Sequence, residues 1–205
     1  MAPLSGKTGQ GRFFMSKGGA LQMKQVLSIL VRNQPGVLMR VAGLFSRRGF
    51  NIDSLAVGIT EKPAFSRMTV GLYGNEATVE QVKKQLEKLS EVEEVRRLPA
   101  DAMVSRGMAL IKVAAGERRM EVLKLAEIFR ASVLDVGGQT LVFEITGAED
   151  KIRAFAEALT PFGIFELVQT GVVALERGES AMQATTSKYN WPERFTGVKD
   201  GCQVI

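Results

Sequence analysis

One strand-and-helix pattern is written twice in this chain, and that repeat limits the folds open to it. The first copy starts near Lys24. Val26-Leu27-Ser28-Ile29-Leu30-Val31 is an apolar run of strand length. After Asn33-Gln34-Pro35-Gly36, the residues Val37, Leu38, Val41, Ala42 and Phe45 fall at helical spacing on one side of a helix over 36–48. Arg47-Arg48-Gly49 closes it, with cations at the negative end of the dipole and a glycine suited to a left-handed cap. Residues 50–59 read as a strand, and Glu61-Lys62-Pro63-Ala64 as a hairpin loop in which Pro63 cannot donate to a ladder. In the next strand Met68, Val70 and Leu72 alternate onto one face. A helix over 76–90 aligns Val79, Val82, Leu86 and Leu89, and a strand over 92–98 stops at Pro99.

The second copy repeats the order. It has a strand over 108–113 and a helix over 117–131 that buries Val122, Leu125, Ala126 and Phe129. A strand over 132–136 turns at Gly137-Gly138 into a strand with Leu141, Phe143 and Ile145 on one face. A helix over 149–162 and a strand over 164–173 complete it. The expected fold class is α+β: two tandem ferredoxin-like βαββαβ sandwiches, each a four-stranded antiparallel sheet with both helices on one face. The expected domains are 24–99 and 103–176, with flexible tails over 1–23 and 177–205. Gly6-Lys7-Thr8 lacks the upstream glycine of a phosphate-binding loop, and no strand precedes it. Met23 is a second candidate start of the working chain. Trp191 is a candidate docking residue in the last stretch. Cys202-Gln203-Val204-Ile205 fits a prenylation box loosely, because Gln203 is not aliphatic and the preceding stretch is not polybasic.

Composition excludes much chemistry. The 205 residues contain no histidine and one cysteine, Cys202. That removes the commonest general base near neutral pH, any Ser-His-Asp or Cys-His nucleophile, and a zinc site of Cys/His type within one chain. No internal disulfide can form, which suits a reducing compartment, and a cytoplasmic location is expected. No apolar run approaches the ~20 residues of a membrane-spanning helix, so no membrane partner is expected. The net charge of +5 resides largely in the first stretch and in arginine pairs near helix ends. It reads as a solvated face, and no nucleic-acid partner is expected.

The turn at 33–38 is the candidate site. Gly36 lets a ligand approach the backbone closely, and the unpaired N–H groups of the first helical turn suit a carboxylate. Pro35 fits a first turn because it has no N–H to waste there. Asn33-Gln34-Pro35-Gly36 is also simply a good helix start. The second copy has Ala114-Ala115-Gly116-Glu117 at this position and need not bind the same ligand.

With these residues assembled, the chain resembles the regulatory (small) subunits of acetolactate synthase. The likeness is carried by residues 27–38 (Leu-Ser-Ile-Leu-Val-Arg-Asn-Gln-Pro-Gly-Val-Leu), by 44–55 (Leu-Phe-Ser-Arg-Arg-Gly-Phe-Asn-Ile-Asp-Ser-Leu) and by 66–70 (Ser-Arg-Met-Thr-Val). In the second half it is carried by Glu127-Ile128-Phe129-Arg130, Val133-Leu134-Asp135-Val136 and Thr170-Gly171-Val172-Val173. The resemblance implies an N-terminal ACT domain that pairs with its twin across an edge strand. It implies an effector site at that dimer interface for valine or another branched-chain amino acid. Asn33, Pro35, Gly36, Val37 and Leu38 would hold the ligand from one chain. Asn51 would reach in from the other, with Ile52 or Leu55 walling the side chain. It further implies a non-catalytic chain without a cofactor of its own, partnered by a large subunit that carries thiamine diphosphate, magnesium and a flavin and makes acetolactate. The small subunit would raise that activity and confer feedback inhibition. A stand-alone ACT-type sensor acting on another enzyme is the alternative, as is an independent enzyme. An RRM shares the topology but needs strand aromatics for base stacking, and in the first copy strand one has none and strand three offers only Tyr73.

Overall fold

The computed structural model describes residues 13–15 and 21–182, with side chains over 24–182. The first unit contains β1 (Phe13–Met15), β2 (Leu21–Arg32), α1 (Val37–Arg47), β3 (Ile52–Ile59), β4 (Phe65–Gly74), α2 (Glu76–Leu86) and β5 (Val92–Leu98). The second contains β6 (Met103–Ala114), α3 (Arg119–Phe129), β7 (Ser132–Val136), β8 (Thr140–Gly147), α4 (Glu149–Leu159), β9 (Ile164–Gln169) and β10 (Val173–Glu176). The 3-10 turn Thr160–Phe162 follows α4.

In the first sheet β2 lies between β4 and β5, and β3 flanks β4, all antiparallel to their neighbours. In the second, β6 lies between β8 and β9, and β7 flanks β8. Each unit is therefore the expected ferredoxin-like sandwich. β1 adds to the start of β2, with Phe13 opposite Met23. β10 continues the β9 ladder along the start of β6, with Val173 opposite Arg106.

The helices cover one face of each sheet because the apolar periods match. Leu27, Ile29 and Val31 of β2 and Met68, Val70 and Leu72 of β4 meet Val37, Val41, Leu44 and Phe45 of α1 and Val79, Val82 and Leu86 of α2. Ile111, Phe143, Ile145, Phe155 and Leu159 are equivalent in the second core, where Phe143 meets Phe155 edge-on at 5.9 Å. The side chain of Asn75 caps α2 by accepting from the Thr78 N–H at 2.8 Å. α1 ends where Gly49 turns left-handed, φ +69°, and the Phe50 N–H returns to the Phe45 carbonyl.

Several details depart from the sequence reading. β2 is buried on both faces, which its unbroken apolar run allows. Val26 packs with Leu98 of β5 and Ala174 of β10, and Leu30 with Met182. Chain beyond residue 176 thus continues across the back of the first sheet, and Arg96 Nη1 donates to Glu176 at 2.6 Å and to the Ser180 hydroxyl at 2.7 Å. β1 and the first residues of β2 lie within the stretch read as an N-terminal tail. Leu38 belongs by spacing to the buried stripe of α1 but is 42% exposed, and Leu44 takes its place in the core. α4 ends at Leu159, before Pro161, and the last strand breaks into β9 and β10 around Gly171. Gly6-Lys7-Thr8, Trp191 and the Cys202–Ile205 box lie outside the described residues. Among the described residues no helix is long and apolar enough to cross a membrane, and no cluster of three metal-ligating side chains occurs.

Candidate effector site

The turn after β2 is built from backbone and held from one side. Asn33 donates twice to the β3–β4 hairpin: its N–H to the Ala64 carbonyl at 2.8 Å and its side-chain Nδ2 to the Pro63 carbonyl at 3.0 Å. Gly36, the residue before α1, sits at φ +84°, a left-handed conformation that favours glycine. No side chain caps the helix, and its first turn contains no acid. A Cβ placed on Gly36 would meet nothing within 4 Å. Among the described residues the N–H groups of Gly36, Leu38 and Met39 have no acceptor, while that of Val37 reaches the Gln34 carbonyl at a long 3.4 Å. The result is an exposed corner with several donors at the positive end of a helix dipole. Pro35 stands outside the helix, before Gly36, so it rigidifies the turn rather than opening the first helical turn as expected.

Asn33, Pro35, Gly36 and Leu38 are exposed around this corner, and Val37 is buried beneath it. Asn51 and Ile52 are not brought to it within the chain. They stand at the start of β3, where Ile52 lies opposite Leu72 and Leu72 opposite Gln25. The turn follows Arg32, at the other end of the sheet. From the Gln25 row to the Val31 row is about 20 Å at ~3.3 Å per residue. Asn51 is exposed, and Ile52 and Leu55 both pack on the first core. Strict alternation would put Ile52 and Leu55 on opposite faces. A bulge at Asp53 puts both on the helix side, because Leu55 pairs with Val70.

Asp53 itself points away, to Lys24, a contact that the sequence reading missed. Lys24 Nζ lies 2.6 Å from Asp53 Oδ2 and 2.7 Å from Glu149 Oε2, the first residue of α4 in the second unit. Burial opposes the charged ammonium, but its hydrogen bonds to the two carboxylates outweigh that cost and hold the Lys24 pKa above the ordinary lysine value. These three side chains line a cleft of about 400 Å³ between the units, with Ser54, Thr170 and Gly171. Nothing in a period or motif announces such a pairing over 125 positions; only the three charged residue types are visible in the sequence.

The corresponding corner of the second unit is furnished differently. Arg118 precedes α3, lies 4.2 Å from the centre of the Phe162 ring and pairs with Glu121 at 2.9 Å. A Cβ on Gly116 would lie 3.3 Å from Gln139 Oε1. Arg119 Nη2 donates to the Gly137 and Gly138 carbonyls, doing for the β7–β8 hairpin what Asn33 does for the β3–β4 hairpin.

Comparison with known proteins matches both units. Residues 27–94 fit a family model described as the AHAS small subunit-like ACT domain, and residues 106–178 one described as the small subunit of acetolactate synthase. The acetolactate synthase small subunit of Mycobacterium leprae is 52% identical over 153 residues, which is 74% of this chain and 90% of that protein. The one from Aquifex aeolicus is 45% identical over 156 residues, 75% of this chain and 81% of that protein. The crystal structure of the Thermotoga maritima acetolactate synthase small subunit superposes with a TM-score of 0.73 at 42% identity, covering 77% of this chain and 99% of that one. The chain belongs to the acetolactate synthase small-subunit family, with an ACT domain as its first unit.

Proposed function

We propose that this chain is a regulatory subunit that binds a branched-chain amino acid such as valine between two ACT domains and passes its occupancy to the acetolactate synthase catalytic subunit. The bare corner at Gly36 carries the reading. It offers backbone donors and a helix dipole to the ligand's carboxylate, and its lack of an acid leaves that charge unopposed. Asn51 and Ile52 at the far end of the sheet support a site shared by two chains. If β3 edges of two copies pair antiparallel, the start of β3 in one copy comes beside the turn of the other. Asn51 then meets the ligand's polar end, and Ile52 helps wall its branch. Val57 and Ile59, exposed on that edge strand, suit burial against a twin.

A ligand that bridges two chains links their arrangement to its concentration, a coupling commonly worth about 1–3 kcal/mol. The thiamine diphosphate, magnesium and flavin belong to the catalytic partner. This chain alone forms no acetolactate, raises the partner's activity and makes it sensitive to valine. Calorimetry with valine, isoleucine and leucine, with and without a catalytic subunit, tests the reading alongside sedimentation of the free chain. Heat on valine addition and a dimer are expected. No heat and no melting shift with any of the three amino acids would overturn it.

A further inference from the structure

We infer that the second unit senses effector occupancy through the bulge at Asp53, with Lys24 as the joint between the two units; this rests on the effector reading above. The head of β3 and the residue before it serve two purposes within six residues. Asn51 and Ile52 are candidate ligand contacts, and residues 53–56 are where the second unit leans on the first. Asp53 is the unpaired extra residue of the strand, which is why its carboxylate leaves the sheet and reaches Lys24. Lys24 is one cation shared by two carboxylates from different units, and its side chain is only 13% exposed. If Asp53 is drawn away, the ammonium is left to Glu149 alone. If Lys24 moves, two carboxylates face each other.

A second contact beside the first makes the joint stiff. A Cβ on Gly171 would come within 3.0 Å of the Leu55 carbonyl and the Ala56 nitrogen, so the link between β9 and β10 rests directly on the backbone of β3. That link is fixed in its own sheet, where the Thr170 N–H donates to the Met108 carbonyl at 2.9 Å and the Met108 N–H to the Thr170 hydroxyl at 3.0 Å. A shift of β3 on binding is thus delivered to β6 and β9 by one shared charge and one backbone contact. The ligand that moves this stretch is held at its other end by the turn of the twin chain, so the joint reports the neighbour's corner.

The test uses the full chain with the catalytic subunit. Glu149→Gln keeps a hydrogen-bonding group on Lys24 but removes one charge. Lys24→Met removes the shared cation. Both variants are expected to bind valine with nearly wild-type heat and to activate the catalytic subunit, while the inhibition midpoint rises about tenfold, within the usual range of allosteric coupling. Hydrogen exchange of residues 164–176 is expected to slow on valine addition in the wild type and not in the variants. Arg153→Gln, which breaks an exposed pair with Asp150 on the same helix, is the control and leaves inhibition unchanged. Wild-type inhibition in Glu149→Gln with its valine binding intact overturns the joint even if Lys24→Met fails to fold. An absence of valine heat in the wild type overturns the effector reading first, and the joint falls with it.

Discussion

The two corners that open α1 and α3 occupy the same place in the same topology, yet they are chemically opposite. The first has a left-handed glycine, open space above it and no acid in the first turn. The second has Arg118 stacked on Phe162 and neutralised by Glu121, with Gln139 close to Gly116. A duplicated sandwich needs both corners only to start a helix. Neither helix start has a side-chain cap, but the second is occupied by its own Arg118, Phe162 and Glu121, whereas the first leaves backbone groups that a ligand can reach. The bulges show the same divergence. In the first unit the extra residues are Asp53, paired with Lys24, and Glu93, paired with Arg32 at 2.9 Å. The bulges at the corresponding places in the second unit hold Leu134 and Phe165, both exposed. One copy has turned its irregularities into charged contacts, while the other leaves them apolar at the sheet edges.

The largest expected effect falls on the bare corner. Gly36→Asp puts a carboxylate where the ligand's own would lie, and like charges brought together cost several kcal/mol, so valine affinity should drop about a hundredfold or more. The fold should survive, since a Cβ there meets nothing, although the left-handed backbone adds roughly 1–2 kcal/mol of strain. Calorimetry with circular dichroism separates the two effects. A variant that folds and still binds valine at the wild-type concentration would place the site elsewhere. Asn51→Ala comes next, at about tenfold weaker binding for one hydrogen bond lost to a charged ligand. It should leave the melting temperature alone, because Asn51 is exposed and bonds no described residue. Asn33→Ala should weaken binding and also lower stability by about 1 kcal/mol, because its amide braces the turn against Pro63.

How much of this was legible follows from which forces have a period. Apolar spacing is periodic, so both sandwiches and nearly all of the two cores were readable from residues such as Leu27, Phe45, Val82, Phe143 and Phe155. The Gly36 corner was readable because glycine and proline mark turns locally. What failed was what interrupts a period or acts at long range. The bulge at Asp53 broke the alternation that would have faced Ile52 and Leu55. Leu38 fell in the apolar stripe by identity, but it faces out beside the corner. The Lys24 joint spans 125 positions, and the burial of Val26 and Leu30 on the back of the first sheet depends on chain beyond residue 173 folding over it.

The smallest effect, and the sharpest contrast, belongs to the second corner. Arg118 holds the Glu121 carboxyl below its ordinary value of 4.5 through their hydrogen bond. A lowered carboxylate pKa stabilises the fold above the ordinary value, and that contribution is lost as pH falls through the lowered one. Acid melts below about pH 4.5 should therefore show a slope that Glu121→Gln flattens. Since the pair is exposed and screened by solvent, the variant should leave stability at neutral pH nearly unchanged. Its valine isotherm should superimpose on the wild type, because the pair belongs to the corner that neutralises itself. The chain has no histidine, so valine affinity at the first corner should stay flat between pH 6 and 8. If Glu121→Gln shifts valine binding as far as Asn51→Ala does, the two corners are one coupled system, and the distinction between a furnished corner and a vacant one fails.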